Sequence, residues 1–141
     1  MTKFTAEFLF DDLTPAERAR AERVEAILPE LHAHAEESDA SGRFHVPHRD
    51  TLSDAGLLGL MIPESYGGLG GTLRDLAAAT YAMGTACPST ALAYFFHCST
   101  SSRGLLALDA IEEGKFTDEE IPAVRTFAEN VLHRMGTKKQ L

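Results

Sequence analysis

His97 lies at the point where an apolar helical sequence turns polar. It follows Tyr94, Phe95 and Phe96 and precedes the run Cys98-Ser99-Thr100-Ser101-Ser102. A polar patch that interrupts an otherwise buried face is a position at which side chains can form part of a site. The simpler interpretation is a core or capping histidine whose ring bonds to a backbone carbonyl, because buried polar groups are normally satisfied in this way.

Metal coordination is the second chemistry that the sequence could support. His32 and His34 are two residues apart on a predicted helix and therefore point to different faces, and His45 and His48 lie in an irregular stretch without a nearby cysteine. The sequence predicts no metal site. Cys87 and Cys98 are the only cysteines; we expect two small buried hydrophobic residues rather than a disulfide or a metal pair.

Nucleotide binding through a glycine motif is excluded by spacing. Gly68 to Leu73 places leucine where a dinucleotide fingerprint needs its last glycine, and no strand pattern surrounds it. Gly114-Lys115 lacks the spacing and the following serine or threonine of a phosphate-binding loop.

The composition is typical of one globular domain. The 141 residues are 44% hydrophobic and 24% charged, with a net charge of −8. The basic residues are scattered, which argues against a nucleic-acid partner. No apolar run is long enough to span a membrane, and we expect a cytoplasmic protein.

The chain is organised around Gly56 to Thr72, an apolar run followed by a glycine-rich loop. Leu57 to Ile62 should be buried, Gly56 should end the helix before it, and Pro63 should stop the run. Gly67, Gly68, Gly70 and Gly71 allow positive φ or close approach of the backbone to another surface.

Cap signals and apolar periodicity predict about five helices around this segment, after an irregular lead-in from Phe4 to Leu13. The first begins at Thr14-Pro15-Ala16-Glu17, a capping box with proline at the first helical position, and Pro29 should kink or interrupt it. Its core stripe comprises Val24, Ile27, Leu28, Leu31 and Ala35. The other four helices are predicted over Val46 to Ala55, from Thr72, from Pro88 to Gly114, and from Thr117 to Gly136. No strand pattern competes, so the fold class is all-α, an orthogonal or up-down helical bundle.

The segment Gly56-Leu57-Leu58-Gly59-Leu60, followed by Ile62-Pro63-Glu64-Ser65-Tyr66-Gly67-Gly68-Leu69-Gly70, closely resembles one that acyl-CoA dehydrogenases carry in their N-terminal domain. The resemblance covers about Leu13 to Leu108 and Gly136 to Gln140. It implies that residues 1–141 are the N-terminal helical domain of an oxidoreductase, without the family's middle β-domain and C-terminal helical domain.

The resemblance also implies a chemistry. Acyl-CoA dehydrogenases abstract an α-proton with a carboxylate base and transfer a β-hydride to FAD. The base and most FAD contacts lie in the family's other domains, so we expect no catalytic residue in this chain. Glu64 is expected to be a loop-packing residue. The implied partners are an acyl-CoA substrate, an electron-transfer flavoprotein or another acceptor, and further copies in a dimer or tetramer.

In the family, the helix that carries His97 lines the acyl pocket beside the flavin. The resemblance therefore places Phe95, Phe96 and Ser99 against the acyl tail and His97 near the flavin. In related flavin monooxygenases of this fold a histidine on this helix handles oxygen intermediates. Such a monooxygenase, or a truncated non-catalytic helical domain, remains the alternative to a dehydrogenase.

Two features concern the C-terminal part of the chain. Thr137 and Gln140 form a capping-box pattern just before the last residue, so we expect a longer parent protein. Glu112 to Arg134 adds roughly a helix to the family pattern. That insertion could reshape the mouth of the pocket or cover a neighbouring subunit.

Overall fold

Six α-helices make up the fold in the computed structural model, which describes residues 5–136. They are α1 (Pro15–Ala33), α2 (Ala35–Ser41), α3 (Pro47–Asp54), α4 (Leu73–Ala86), α5 (Pro88–Glu112) and α6 (Ile121–Gly136). The described range contains no β-strand, which confirms the all-α class. The expected capping pattern at Thr137 and Gln140 lies outside this range.

The predicted first helix is two helices in the structure. Helix α1 continues through Pro29 and ends at His34, whose backbone conformation (φ −113°, ψ 7°) departs from helical geometry. Pro29 therefore does not interrupt the helix, and six helices replace the expected five. The lead-in also contains one 3-10 turn, Thr5–Phe8, which buries Ala6.

Helix α4 is central, packing against α1 on one side and α5 on the other. Its small residues allow this, and Ala79, Ala82 and Met83 are buried in the same cluster as Leu31 of α1 and Tyr94 of α5. Helix α6 packs along α5, with Ala128 and Leu132 fully buried. A Cβ on Gly104 of α5 would lie 2.8 Å from the Leu132 side chain, so the glycine permits this close approach.

The glycine loop folds back onto the apolar run that precedes it. The amides of Gly70 and Gly71 donate to the carbonyls of Ile62 and Leu60 at 2.8 Å and 2.7 Å. Arg20 of α1 fixes the loop from outside by bonding both the Leu69 carbonyl and, at 2.8 Å, the Asp75 carboxylate.

Within residues 5–136, no helix combines the length and apolar character that crossing a bilayer requires.

Candidate functional site

The outer face of α5 carries apolar side chains that the domain does not cover, interrupted by the exposed Arg103. Phe95 and Phe96 are 41% and 61% exposed, and Leu92 and Leu106 are also exposed. At 100° per residue these positions, with the half-buried Ser99, fall within an arc of about 100°. The structure therefore brings Phe95, Phe96 and Ser99 together on one face, and we call the five residues the α5 stripe.

His97 lies on the other side of the same helix. Its Nε2 is 2.8 Å from the carbonyl oxygen of Leu58, so Nε2 carries the proton and donates. This is the backbone-satisfied histidine that the simpler interpretation describes. His97 does not share the α5 stripe with Phe95 and Phe96, as helical spacing along a continuous α5 requires.

A cleft of about 140 Å³ opens beside His97, between α3 and α5. Phe44, Arg49, Leu58 and Tyr94 line it together with His97. Sequence reasoning missed Phe44 and Arg49, because nothing in a single sequence pairs residues about 50 positions apart.

Tyr94 attaches α5 to the apolar run. Its side chain is buried, and its hydroxyl donates a 2.7 Å hydrogen bond to the Leu57 carbonyl. Burial raises the pKa of Tyr94 well above its ordinary value, so the hydroxyl stays protonated and remains a donor. Tyr94 and His97 thus hold two successive carbonyls, those of Leu57 and Leu58, against α5.

Both cysteines are buried, as predicted, but their surroundings differ. Burial raises the pKa of the Cys98 thiol to about 11. Burial also raises the pKa of Cys87, but contacts with Ser89 and Thr90 outweigh this effect and leave that pKa below its ordinary value.

We expect Cys98 to react with iodoacetamide at pH 8 at least about 100-fold more slowly than an exposed thiol of ordinary pKa 9.0, because its thiolate fraction is smaller and its side chain is fully buried. Cys87 should react faster than Cys98. Timed alkylation followed by peptide mass spectrometry measures both rates, and the urea-unfolded chain is the control in which they should converge. Equal alkylation rates for Cys87 and Cys98 in the folded chain would contradict the proposed difference between the surroundings of the two thiols.

A sequence model of the acyl-CoA dehydrogenase N-terminal domain matches residues 14–115. The chain belongs to the acyl-CoA dehydrogenase family. The match begins at the capping threonine of α1 and ends just beyond α5, so it includes the apolar run, the glycine loop and the α5 stripe. The family assignment made from the glycine loop is confirmed.

Individual relatives of this domain fall into two groups. L-evernosamine nitrososynthase of Micromonospora sp. is 34% identical over 135 residues, which are 95% of this chain and 30% of that protein. Amino sugar nitrososynthase DnmZ of Streptomyces peucetius is 32% identical over 91% of this chain and 30% of its own length. Probable acyl-CoA dehydrogenase YngJ of Bacillus subtilis is 40% identical over 65 residues, 46% of this chain and 17% of that protein.

A solved structure supports the first group. The nitrososynthase from Micromonospora carbonacea var. africana superposes with a TM-score of 0.72 at 34% identity, covering 88% of this chain and 29% of that one. The chain thus spans about a third or less of the relatives that it matches. Acyl-CoA dehydrogenase-fold relatives are flavoproteins, and the family chemistry is oxidation and reduction.

Helix α6 lies outside the match to the family model but inside the match to L-evernosamine nitrososynthase. Residues 121–136 lie beyond the family match, which ends at residue 115. The L-evernosamine nitrososynthase alignment covers 95% of the chain. The residues that it leaves out are fewer than the 16 residues of α6, so the alignment extends into α6. The predicted insertion packs on its own domain, against α5 and the glycine loop, where Tyr66 and His133 lie edge to face at 5.1 Å.

Proposed function

We propose that this chain is the N-terminal helical domain of a flavin-dependent oxidoreductase that converts an amino group on a sugar to a nitroso group. The observation that carries this proposal is the extent of the L-evernosamine nitrososynthase match, which extends into α6. The acyl-CoA dehydrogenase YngJ is more identical locally but matches under half of the chain.

In this proposal the α5 stripe forms one wall of the flavin and substrate pocket. Phe95 and Phe96 are exposed aromatic side chains, so a flat ring system or a substrate can pack against them and lose contact with water. Ser99 offers one hydroxyl on the same face. When bound, flavin supplies the electron-transfer chemistry, and this domain supplies packing and exclusion of water. FAD is the form of flavin that we propose.

The resemblance implies that His97 lies near the flavin, but the His97 ring faces away from the α5 stripe, so we propose that His97 acts on the flavin pocket indirectly, by holding α5 against the apolar run. Its Nε2 proton is held by the Leu58 carbonyl, which leaves Nδ1 as the ring nitrogen able to accept a hydrogen bond. The Nε2 hydrogen bond keeps the ring fixed between α5 and the apolar run, whichever group Nδ1 contacts.

The second candidate function is α,β-dehydrogenation of an acyl-CoA thioester, with an electron-transfer flavoprotein or another acceptor as partner. YngJ favours it at 40% identity, although over a shorter segment. The two reactions differ in their need for dioxygen. In flavin-dependent oxygenation of an amine, each step places one oxygen atom of dioxygen on the nitrogen and reduces the other to water with two electrons from an external reductant, and the dihydroxylated nitrogen then loses water to give the nitroso group. Dehydrogenation instead takes both electrons from the substrate and needs no dioxygen.

The test uses the complete gene product as purified from its natural source. We expect consumption of dioxygen that depends on an amino sugar and on an external reductant. We also expect no bleaching of the flavin by acyl-CoA thioesters under nitrogen. Anaerobic bleaching by an acyl-CoA, without amino-sugar-dependent oxygen consumption, would establish the second candidate and contradict the first.

Replacement of a stripe residue should change substrate preference. We expect Phe95→Ala in the complete protein to change the ratio of kcat/KM between a smaller and a bulkier amino sugar by about tenfold, because a pocket wall discriminates by packing. Leu73→Ala is the matched control, because Leu73 is 75% exposed on α4, outside the α5 stripe. An unchanged ratio for Phe95→Ala would remove Phe95 from the pocket.

We further propose that the family's remaining domains close the pocket opposite the α5 stripe and so cover the stripe, and that the complete protein assembles as a dimer or tetramer. The 141-residue chain alone should therefore enhance the fluorescence of a hydrophobic dye or self-associate, because exposed apolar patches bind other apolar surfaces. Phe96→Ser should reduce the dye signal, and Leu73→Ser should reduce it less. A monomer that binds no dye would contradict the proposal that other domains cover the stripe.

A further inference from the structure

Three histidines and two glutamates meet where α1 gives way to α2. The rings of His34 and His45 are stacked, with centroids 4.2 Å apart and planes within 11° of parallel. The His34 Nε2 lies 3.5 Å from the Glu30 carboxylate, and its Nδ1 lies 3.8 Å from that of Glu37. His48 lies edge-on to His45, with centroids 4.7 Å apart.

Three of these side chains have potential metal-ligand atoms close together. One ring nitrogen each from His34 and His45 and one carboxylate oxygen of Glu37 lie within 4.8 Å of one another. Ligands of a tetrahedral zinc ion lie about 3.3 to 3.5 Å apart, since each bond is about 2.0 to 2.1 Å long. The three atoms can therefore be somewhat farther apart than the ligands of one zinc ion. The side chains of Glu37 and His34 are 71% and 36% exposed, so they can rotate to bring the atoms closer together.

The cluster is backed by a buried histidine. His48 is fully buried, and its Nδ1 lies 2.8 Å from the Thr90 hydroxyl. The ring also lies against the backbone of Glu30 in α1, so His48 joins α3 to both α1 and α5.

We propose that His34, Glu37 and His45 bind one Zn²⁺ ion, with water as the fourth ligand. Two imidazoles and one carboxylate form a donor set that zinc accepts, and zinc imposes no geometry that the side chains could not reach. The net charge of −8 favours the approach of a cation. The ion would fasten the loop before α3 to the junction of α1 and α2.

This site lies apart from the α5 stripe and from the proposed redox chemistry. It also reverses the expectation from the sequence that no metal binds. The sequence separated His34 from His45, whereas the helix break at His34 and the turn at Gly42 (φ 62°) bring the two rings together.

Titration of the 141-residue chain with zinc chloride at pH 7.5, followed by calorimetry, tests the proposal. We expect one ion bound per chain. Glu37→Gln and His45→Gln should each weaken binding by about tenfold or more, because each removes a ligand. His32→Gln is the matched control: His32 lies two residues from His34 but near the Ala86 carbonyl, and its replacement should leave the affinity unchanged.

Two results would overturn the proposal. One is the absence of saturable zinc binding to the folded wild-type chain, and the other is equal weakening by His32→Gln and His45→Gln. Glu37 is exposed, so Glu37→Gln keeps the test valid if His45→Gln fails to fold. NMR of the histidine rings gives an independent readout, in which zinc should shift the signals of His34 and His45 and leave that of His32 in place.

Discussion

Gly68→Ala should lower the free energy of unfolding by about 3 kcal/mol or more, at the upper end of what overpacking costs. A Cβ at this position would lie 2.1 Å from the Ile62 carbonyl oxygen and 2.6 Å from its carbonyl carbon. These are backbone atoms, so the clash cannot be relieved by turning a side chain. The loop would have to separate from the apolar run, at the expense of hydrogen bonds that join the two.

Gly84→Ala is the matched control for that prediction. Gly84 lies within α4, and a Cβ there would meet nothing within 4 Å. Because alanine favours helix over glycine, this change should raise stability by up to about 1 kcal/mol. Urea unfolding followed by circular dichroism measures both variants. If Gly68→Ala were as stable as the wild-type chain, the close contact between loop and apolar run would be wrong.

Asp75→Ala should cost about 3 to 5 kcal/mol, the usual effect of breaking a buried ion pair. The Asp75 carboxylate is 3% exposed and lies 2.8 Å from Arg20 Nε. Its other oxygen accepts the Thr72 amide at 2.8 Å and caps α4. Removal of Asp75 therefore uncaps a central helix and leaves a guanidinium without its partner beside the glycine loop.

The Arg49–Asp50 pair provides the comparison for Asp75. Its side chains are 47% and 69% exposed and lie 3.4 Å apart, so Asp50→Ala should change stability by no more than about 1 kcal/mol. Chemical unfolding of both variants measures the difference between the two. If Asp75→Ala and Asp50→Ala lowered the free energy of unfolding by the same small amount, the Asp75 ion pair would contribute no more to stability than a surface ion pair does.

Local signals predicted the helices well, because caps and apolar periodicity act over a few residues. Thr14 and Glu17 form the expected capping box, and Thr72 and Asp75 form another. The apolar run is buried, and Gly56 takes the predicted left-handed conformation (φ 74°). The break at His34 was missed, since Pro29 was the stronger local signal for an interruption.

Long-range partners could not be predicted from one sequence. The residue type and position of Asp75 indicate a helix cap, but no feature of the neighbouring sequence indicates that Arg20 of α1 pairs with it. The same holds for His97, whose carbonyl partner belongs to Leu58, and for His34 and His45. The α5 stripe, by contrast, follows from helical spacing once α5 is known to be continuous.

Subunit mass and visible absorbance of the gene product purified from its natural source test the central claim most directly. We predict a yellow protein with flavin absorbance, in a subunit of which this 15.3 kDa chain makes up about the 30% that it matches in L-evernosamine nitrososynthase. A colourless protein of 15.3 kDa would contradict the claim that this domain serves a flavoenzyme.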